Sequence, residues 1–292
     1  MIDYNSIDVL VKTAESENIS ISELALRDQA KRMEKTEDEL FKIMRHSYLV
    51  MCEAAEKGAE KDLRSASGLS GGGGWKLMNT PAANQLSGGF CSRAIGRAVA
   101  TAEYNAAMGK IVAAPTAGAC GILPAALITM REERKLDEKS AVMALFTAGA
   151  FGMVLANQAS ISGAEGGCQA ECGSAAGMAA AALVEMAGGG PAICAAACGI
   201  ALANQMGLVC DPVAGLVEAP CIVRNAGGVM CAITAAELAL AGISLPIPLD
   251  EVIGAMREVG VSMPSVLRET ALGGLAATTT GVALKEKCLG CK

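Results

Sequence analysis

The sequence predicts an all-α protein: a single mainly helical domain over residues 1–292, with charged helices at 1–60 packed on a helical core at 91–292. Three observations carry this. Hydrophobic residues make up 52% of the chain and aromatics only 3%, so the core is built from Ala, Gly, Val, Leu, Ile and Met, whose small side chains suit close helix packing. No segment sustains two-residue alternation, and Val or Ile runs are few, as a sheet would not have it. Between the apolar runs, loops rich in Gly, Ser and Pro recur, and length alone permits a full core.

Taken in order, residues 7–17 and 21–31 read as two short helices joined near Asn18, with Ser20 or Ser22 as the second cap. From Thr36, apolar positions Leu40, Ile43, Met44, Met51, Ala54 and Ala55 recur at helical spacing to about Gly58. Residues 65–90 then change character: a run of glycines with Pro81 and Gly88-Gly89 cannot be helical throughout. This stretch reads equally as a linker or as a loop whose backbone amides approach a small anion. A helix from about Ser92 to Met108 follows, then a shaped turn, with Pro124 in the first turn of a helix reaching Glu133. Asp137 caps a helix over 138–157. A third Gly and Ser loop, 160–168, precedes an Ala-rich helix from about Glu171 to Met186. Apolar helices at 192–206 and 224–241, and one from Asp250 to Val259, complete the reading.

Composition narrows the function. Twenty-four basic against thirty acidic residues leave a net charge of -6 with no basic block, which disfavours nucleic acid and anionic membrane as partners. The uncharged run from Ala141 to Ala156 falls short of the about 20 strongly apolar residues of a typical span. Nothing at the N-terminus reads as a secretory signal, and a cytoplasmic location is expected. Twelve cysteines therefore argue against a disulfide framework and leave two uses open, buried thiols packed as small hydrophobes or a thiolate-ligated metal centre. Nucleotide-loop and HExxH signatures are absent. His46, the one histidine, lies on the third helix and reads as structural or exposed rather than catalytic.

Cys168 and Cys172, and likewise Cys194 and Cys198, share a helix face by their four-residue spacing, which is not ligation; the second pair reads as core packing. Cys168, Cys210 and Cys221 differ, since Gly167, Pro212 and Pro220 place each at the edge of a helix where its thiol could turn toward a common point.

The chain resembles the alpha subunit of bacterial L-serine dehydratases of the iron-sulfur type. The likeness lies in SASGLSGG (65–72), AEYNAAMG (102–109), APTAGACGILPA (114–125), FTAGAFG (146–152), the long stretch from Asn157 to Gly189, GLVCDPVAGLVEAPCIVRNA (207–226) and LRETALGGLAATTTG (267–281). It implies that Cys168, Cys210 and Cys221 bind a [4Fe-4S] cluster, leaving one iron without a thiolate to act as a Lewis acid toward the substrate hydroxyl. The implied reaction removes the alpha proton and the hydroxyl of L-serine; the resulting enamine tautomerises and hydrolyses to pyruvate and ammonia. No pyridoxal phosphate is implied. On the substrate side, Ser67, Gly68, Thr116 and Gly118 resemble donors for a carboxylate, and Asn105 and Glu171 could orient or neutralise the ammonium end. The loops around residues 67, 116, 165 and 215 should converge on one face.

Single-chain members carry an additional N-terminal beta domain with a Ser-Ser-Ser-His-Thr sequence, which this chain lacks. The resemblance therefore implies a separate beta subunit and at least an αβ assembly, with a higher oligomer open. It also suggests Cys291, near the chain end, as a cap on the open iron when substrate is absent, beside the plainer reading of Cys288 and Cys291 as ordinary surface thiols. Two rival functions stand beside serine dehydration: a cysteine desulfidase or other cluster-dependent ammonia-lyase, and an iron-sulfur sensor module.

Overall fold

The computed structural model describes Ile2 and residues 4–290. Helices α1 (Ile7–Glu17), α2 (Ile21–Arg32) and α3 (Glu37–Gly58) are each started by a hydroxyl cap: Ser6 accepts from Val9 N, Ser20 from Glu23 N, and Thr36 forms a reciprocal capping box with Glu39. Ser20, not Ser22, is therefore the second cap. Asn18 ends α1 in the left-handed conformation, at φ 54°. A second cap acts across the fold. Asp250 accepts from Ile7 N at 2.8 Å, Asp8 N at 3.1 Å and Ser6 Oγ at 2.8 Å, so the first turn of α1 is satisfied by a residue more than 240 positions away.

Within the glycine-rich stretch a short helix, α4 (Gly73–Met78), does form before α5 (Gly88–Ala106). Its N-terminus has no side-chain cap of its own; the buried Glu103 carboxylate of α5 accepts from Gly73 N at 3.0 Å and Gly74 N at 2.9 Å. The glycines also let three backbones meet. A Cβ on Gly58 would lie 1.9 Å from Ala100 O, and one on Gly74 would lie 2.6 Å from Ala100 Cα, so α3 and α4 both press on α5 at Ala100.

Helix α6 (Ile122–Glu133) carries Pro124 in its first turn, and α7 (Glu138–Gln158) starts at the Asp137 cap, both as the sequence reading expects. A short α8 (Gly163–Gly166) and a π-helical turn, Gln169–Gly173, lead into α9 (Ser174–Met186). Every residue from Ser174 to Val184 is buried, and α9 forms the centre of the molecule against α6, α7, α10 (Pro191–Gln205) and α11 (Cys221–Leu240). A Cβ on Gly177 would come 2.9 Å from Cys198 Sγ, so this thiol packs as a core atom between α9 and α10. Helices α12 (Leu249–Ser262) and α13 (Thr279–Gly290) close the chain; α13 is a helix the sequence reading did not anticipate. No sheet forms among the described residues, and the one strand-like feature is an isolated parallel bridge between Cys210 and Arg268. Helices α7 and α11 are long and apolar enough to cross a membrane, yet 61% and 50% of their apolar windows are buried inside this fold.

Candidate functional site

Cys168 emerges from a turn that only glycine allows. Gly167 has φ 74°, and a Cβ there would lie 2.7 Å from Met263 Sδ and 2.9 Å from Leu208 O. Gln169 N then donates to Leu208 O at 2.9 Å, drawing the start of the π turn against the strand-like segment that leads to Cys210. Cys210 is held on both sides of its own backbone, its N–H donating to Leu267 O and its carbonyl accepting from Glu269 N, each at 2.8 Å. Cys221 is the first residue of α11, where Asn225 Nδ2 donates to its carbonyl at 2.9 Å. The same Asn225 donates to Gly118 O and accepts from Gly121 N, both at 2.8 Å, so one side chain ties the 116–121 turn to the Cys221 turn.

These constraints bring together Cys168 Sγ, Cys210 Sγ and a Glu171 carboxylate oxygen, all within 4.8 Å of one another. Cys172 Sγ stands 3.9 Å from Cys168 Sγ, and Cys210 Sγ lies 3.9 Å from Glu171 Oε2. All three thiols are buried, as is that of Cys221. The Cys221 thiol lies outside the tight group yet within its field, since burial first, then charge on Cys168 and Glu171, push it up to about 12. Burial likewise raises Glu171 to about 7; the nearby Thr116 hydroxyl opposes this and the Cys168 charge adds to it. Hydrogen bonds from Cys172 and Cys210 hold the Cys168 thiol well below its ordinary range, and the same interactions push those two neighbours up. Converging buried sulfurs with one carboxylate are a donor set that fits a soft, thiolate-bound metal centre.

The sequence model of the family described as serine dehydratase alpha chain matches residues 16–276. The chain belongs to that family. It is 50% identical over 288 residues to the "Probable L-serine dehydratase, alpha chain" of Bacillus subtilis (strain 168), covering 98% of this chain and 96% of that protein. To the "L-serine dehydratase, alpha chain" of Peptoniphilus asaccharolyticus it is 42% identical over 286 residues, 98% of each chain. The "L-serine dehydratase" of Streptomyces coelicolor is 40% identical over 283 residues, which are 94% of this chain but 60% of that protein.

The other residues singled out from the sequence fall as follows. Thr116 Oγ1 is buried and lies close enough to the Glu171 carboxylate to act on it without forming a hydrogen bond of good geometry, and the Cβ position of Gly118 lies 3.4 Å from Glu171 Oε1, so both border that carboxylate. Asn105 Nδ2 donates to Ala117 O at 3.3 Å and so braces the same turn. Ser67 Oγ donates to Glu218 Oε1 at 2.6 Å and Ser70 Oγ to Glu218 Oε2 at 2.5 Å; the Gly68 amide is engaged by Ser65 O at 3.0 Å. The donors of the 67–70 loop are thus committed inside the protein, and they join that loop to the 213–218 loop. His46 is exposed on α3, and Cys291 lies outside the described residues. Sequence reasoning passed over Glu218, Asp211, Arg224 and Asn225, and left Cys172 undecided. A usable signal was present for three of them: Asp211, Glu218 and Arg224 are charges in the otherwise apolar stretch that carries Cys210 and Cys221.

Proposed function

We propose that this chain is the alpha chain of an L-serine dehydratase, converting L-serine to pyruvate and ammonia with a [4Fe-4S] cluster held by Cys168, Cys210 and Cys221. The observation that carries the reading is the convergence of the buried Cys168 and Cys210 with the half-buried Glu171 within 4.8 Å, in a chain that matches named L-serine dehydratase alpha chains almost end to end. When bound, the cluster supplies a Lewis-acidic iron for the substrate hydroxyl, an otherwise poor leaving group. Glu171 faces the sulfurs and offers the carboxylate that pairs with the substrate ammonium. Thr116 offers an uncommitted buried hydroxyl to the substrate carboxylate, beside a turn kept open by Gly118. Glu218 orients Ser67 and Ser70 and so shapes the 67–70 loop.

The working enzyme includes a beta subunit. Supporting this, the single L-serine dehydratase chain of Streptomyces coelicolor extends well beyond the region matched here, which spans 60% of it. A thiol-rich centre of this kind requires a reducing compartment, and the cytoplasm supplies one.

The test is anaerobic reconstitution of the chain with its partner, iron and sulfide, followed by pyruvate formation from L-serine, L-threonine and L-cysteine. Preferred turnover of L-serine is expected. A clear preference for L-cysteine would reassign the chain as a desulfidase, and no turnover with a fully loaded cluster would favour a sensor. Replacing Cys168, Cys210 or Cys221 by Ser should abolish iron retention, whereas Cys198→Ser should leave it intact; unchanged iron in any of the first three excludes that residue as a ligand.

A further inference from the structure

We propose that Arg224 is a positioning residue of this site, its guanidinium clamping both flanks of Cys210 to the helix that begins with Cys221. The inference rests on the ligand set proposed above, but the clamp itself is a matter of geometry. Arg224 stands one turn after Cys221 on α11. Its Nη1 donates to Val209 O at 2.8 Å, and its Nη2 lies 2.7 Å from Asp211 Oδ1. Residues 209 and 211 are the two neighbours of Cys210, so one side chain grips the loop on either side of that cysteine. The Asp211 and Arg224 side chains are only 4% and 15% exposed, which makes this a desolvated pair rather than a surface contact.

Asp211 is fixed from behind as well. Its Oδ2 accepts from Leu275 N at 2.7 Å, and a Cβ on Gly274 would come 2.3 Å from that same oxygen. Cys210 is therefore held on one side by residues 267–269 and on the other by the guanidinium. Only arginine has a planar fork that can serve a carbonyl and a carboxylate in two directions at once; a lysine ammonium reaches one point. Arg224 also places a guanidinium charge directly beside the Cys210 backbone. Two consequences follow: the Cys210 thiol is kept buried in register with Cys221, and the centre gains a neighbouring cation.

The experiment uses the full chain in two states. Without added iron, iodoacetamide labelling of Cys210 followed by mass spectrometry reports local opening, with the core thiol Cys198 as internal reference. R224Q and R224K should both label Cys210 about tenfold faster or more, because local opening sets the rate, while Cys198 keeps the parental rate. Parental labelling of Cys210 in both variants overturns the clamp, as does a rise at Cys198 in step with Cys210, which would mark a global loss of structure. After reconstitution with iron and sulfide, both variants should release iron to a chelator about tenfold faster than the parent, in the range typical of residues that orient metal ligands. The midpoint potential separates charge from geometry: it should become more negative in R224Q and stay near the parental value in R224K. Parental iron release in both variants, or an unshifted potential in R224Q, overturns the proposal. If the parent chain itself takes up no cluster, the ligand reading fails, and the labelling comparison still decides whether Arg224 clamps Cys210.

Discussion

Gly163→Ala tests whether the space between Glu171 and Cys210 belongs to the reaction. A Cβ on Gly163 would lie 2.6 Å from Glu171 Oε2 and 3.1 Å from Cys210 Sγ. Ordinary contact begins near 3.4 Å, so the carboxylate oxygen must retreat by about 0.8 Å. Both atoms are the far ends of side chains and can move, so folding should lose no more than about 1 kcal/mol, the low end of overpacking. The site is less forgiving, because a displacement near 1 Å costs about 10²-fold in rate, equivalent to about 2.7 kcal/mol of transition-state stabilisation. The expected result is a fall of about 10²-fold in kcat/KM for pyruvate formation by the partner-complemented enzyme, with a urea midpoint close to that of the parent. Gly149→Ala is the control: it lies in α7 with open space around its Cβ position, and should leave activity within about threefold. Near-parental activity in Gly163→Ala would remove Glu171 and the adjoining space from the site, and a large stability loss would show that the clash falls on the backbone instead.

The remaining predictions concern what holds the site's frame. Gly58→Ala should destabilise the chain by about 2–3 kcal/mol in urea unfolding, since the added methyl meets the Ala100 backbone and no rotamer relieves it. Gly254→Ala, in α12 with open space around its Cβ position, should instead gain up to about 1 kcal/mol; equal losses at both positions would refute the packing argument. Asp250 predicts an acid limb. Burial alone would raise its carboxyl, but the Ile7, Ser6, Asp8 and Gln158 donors outweigh burial and hold it below the ordinary range. The stabilisation is fully present above the unfolded value of about 3.9 and is lost as pH falls through the folded value. Asp250→Asn should therefore cost about 1 kcal/mol at pH 7, allowing for solvent screening, and nothing at strongly acidic pH. A constant difference across pH would mean that the charge plays no part in docking α1. Glu103→Ala should strip the N-terminal cap from α4 and cost about 1–2 kcal/mol, read as early loss of amide protection at Gly73 and Gly74; unchanged protection there would remove the cap from the account.

Much of the fold was legible because its signals are local. Thr36 with Glu39, Asp137 with Ser140, and Pro124 or Pro191 in a first turn each act within one helical turn, so they can be read from neighbouring letters. The scarcity of aromatics announced small-residue packing, and α9 fulfils it with an unbroken buried face. Of the site, the Gly and Pro context marked Cys168, Cys210 and Cys221, and the structure sets two of these beside Glu171.

By itself the sequence determined the helical class, most helix boundaries and the kind of chemistry its cysteines suit, since propensity, capping and thiol softness are properties of short stretches. Tertiary structure alone decided which groups face one another: Glu218 under Ser67, Glu103 at the start of α4, Asp250 at the start of α1, and Leu267 with Glu269 around Cys210. Each of these joins residues dozens to hundreds of positions apart through an unsatisfied backbone or buried polar group. Such a group needs a partner but leaves no periodic trace of where in the chain that partner lies.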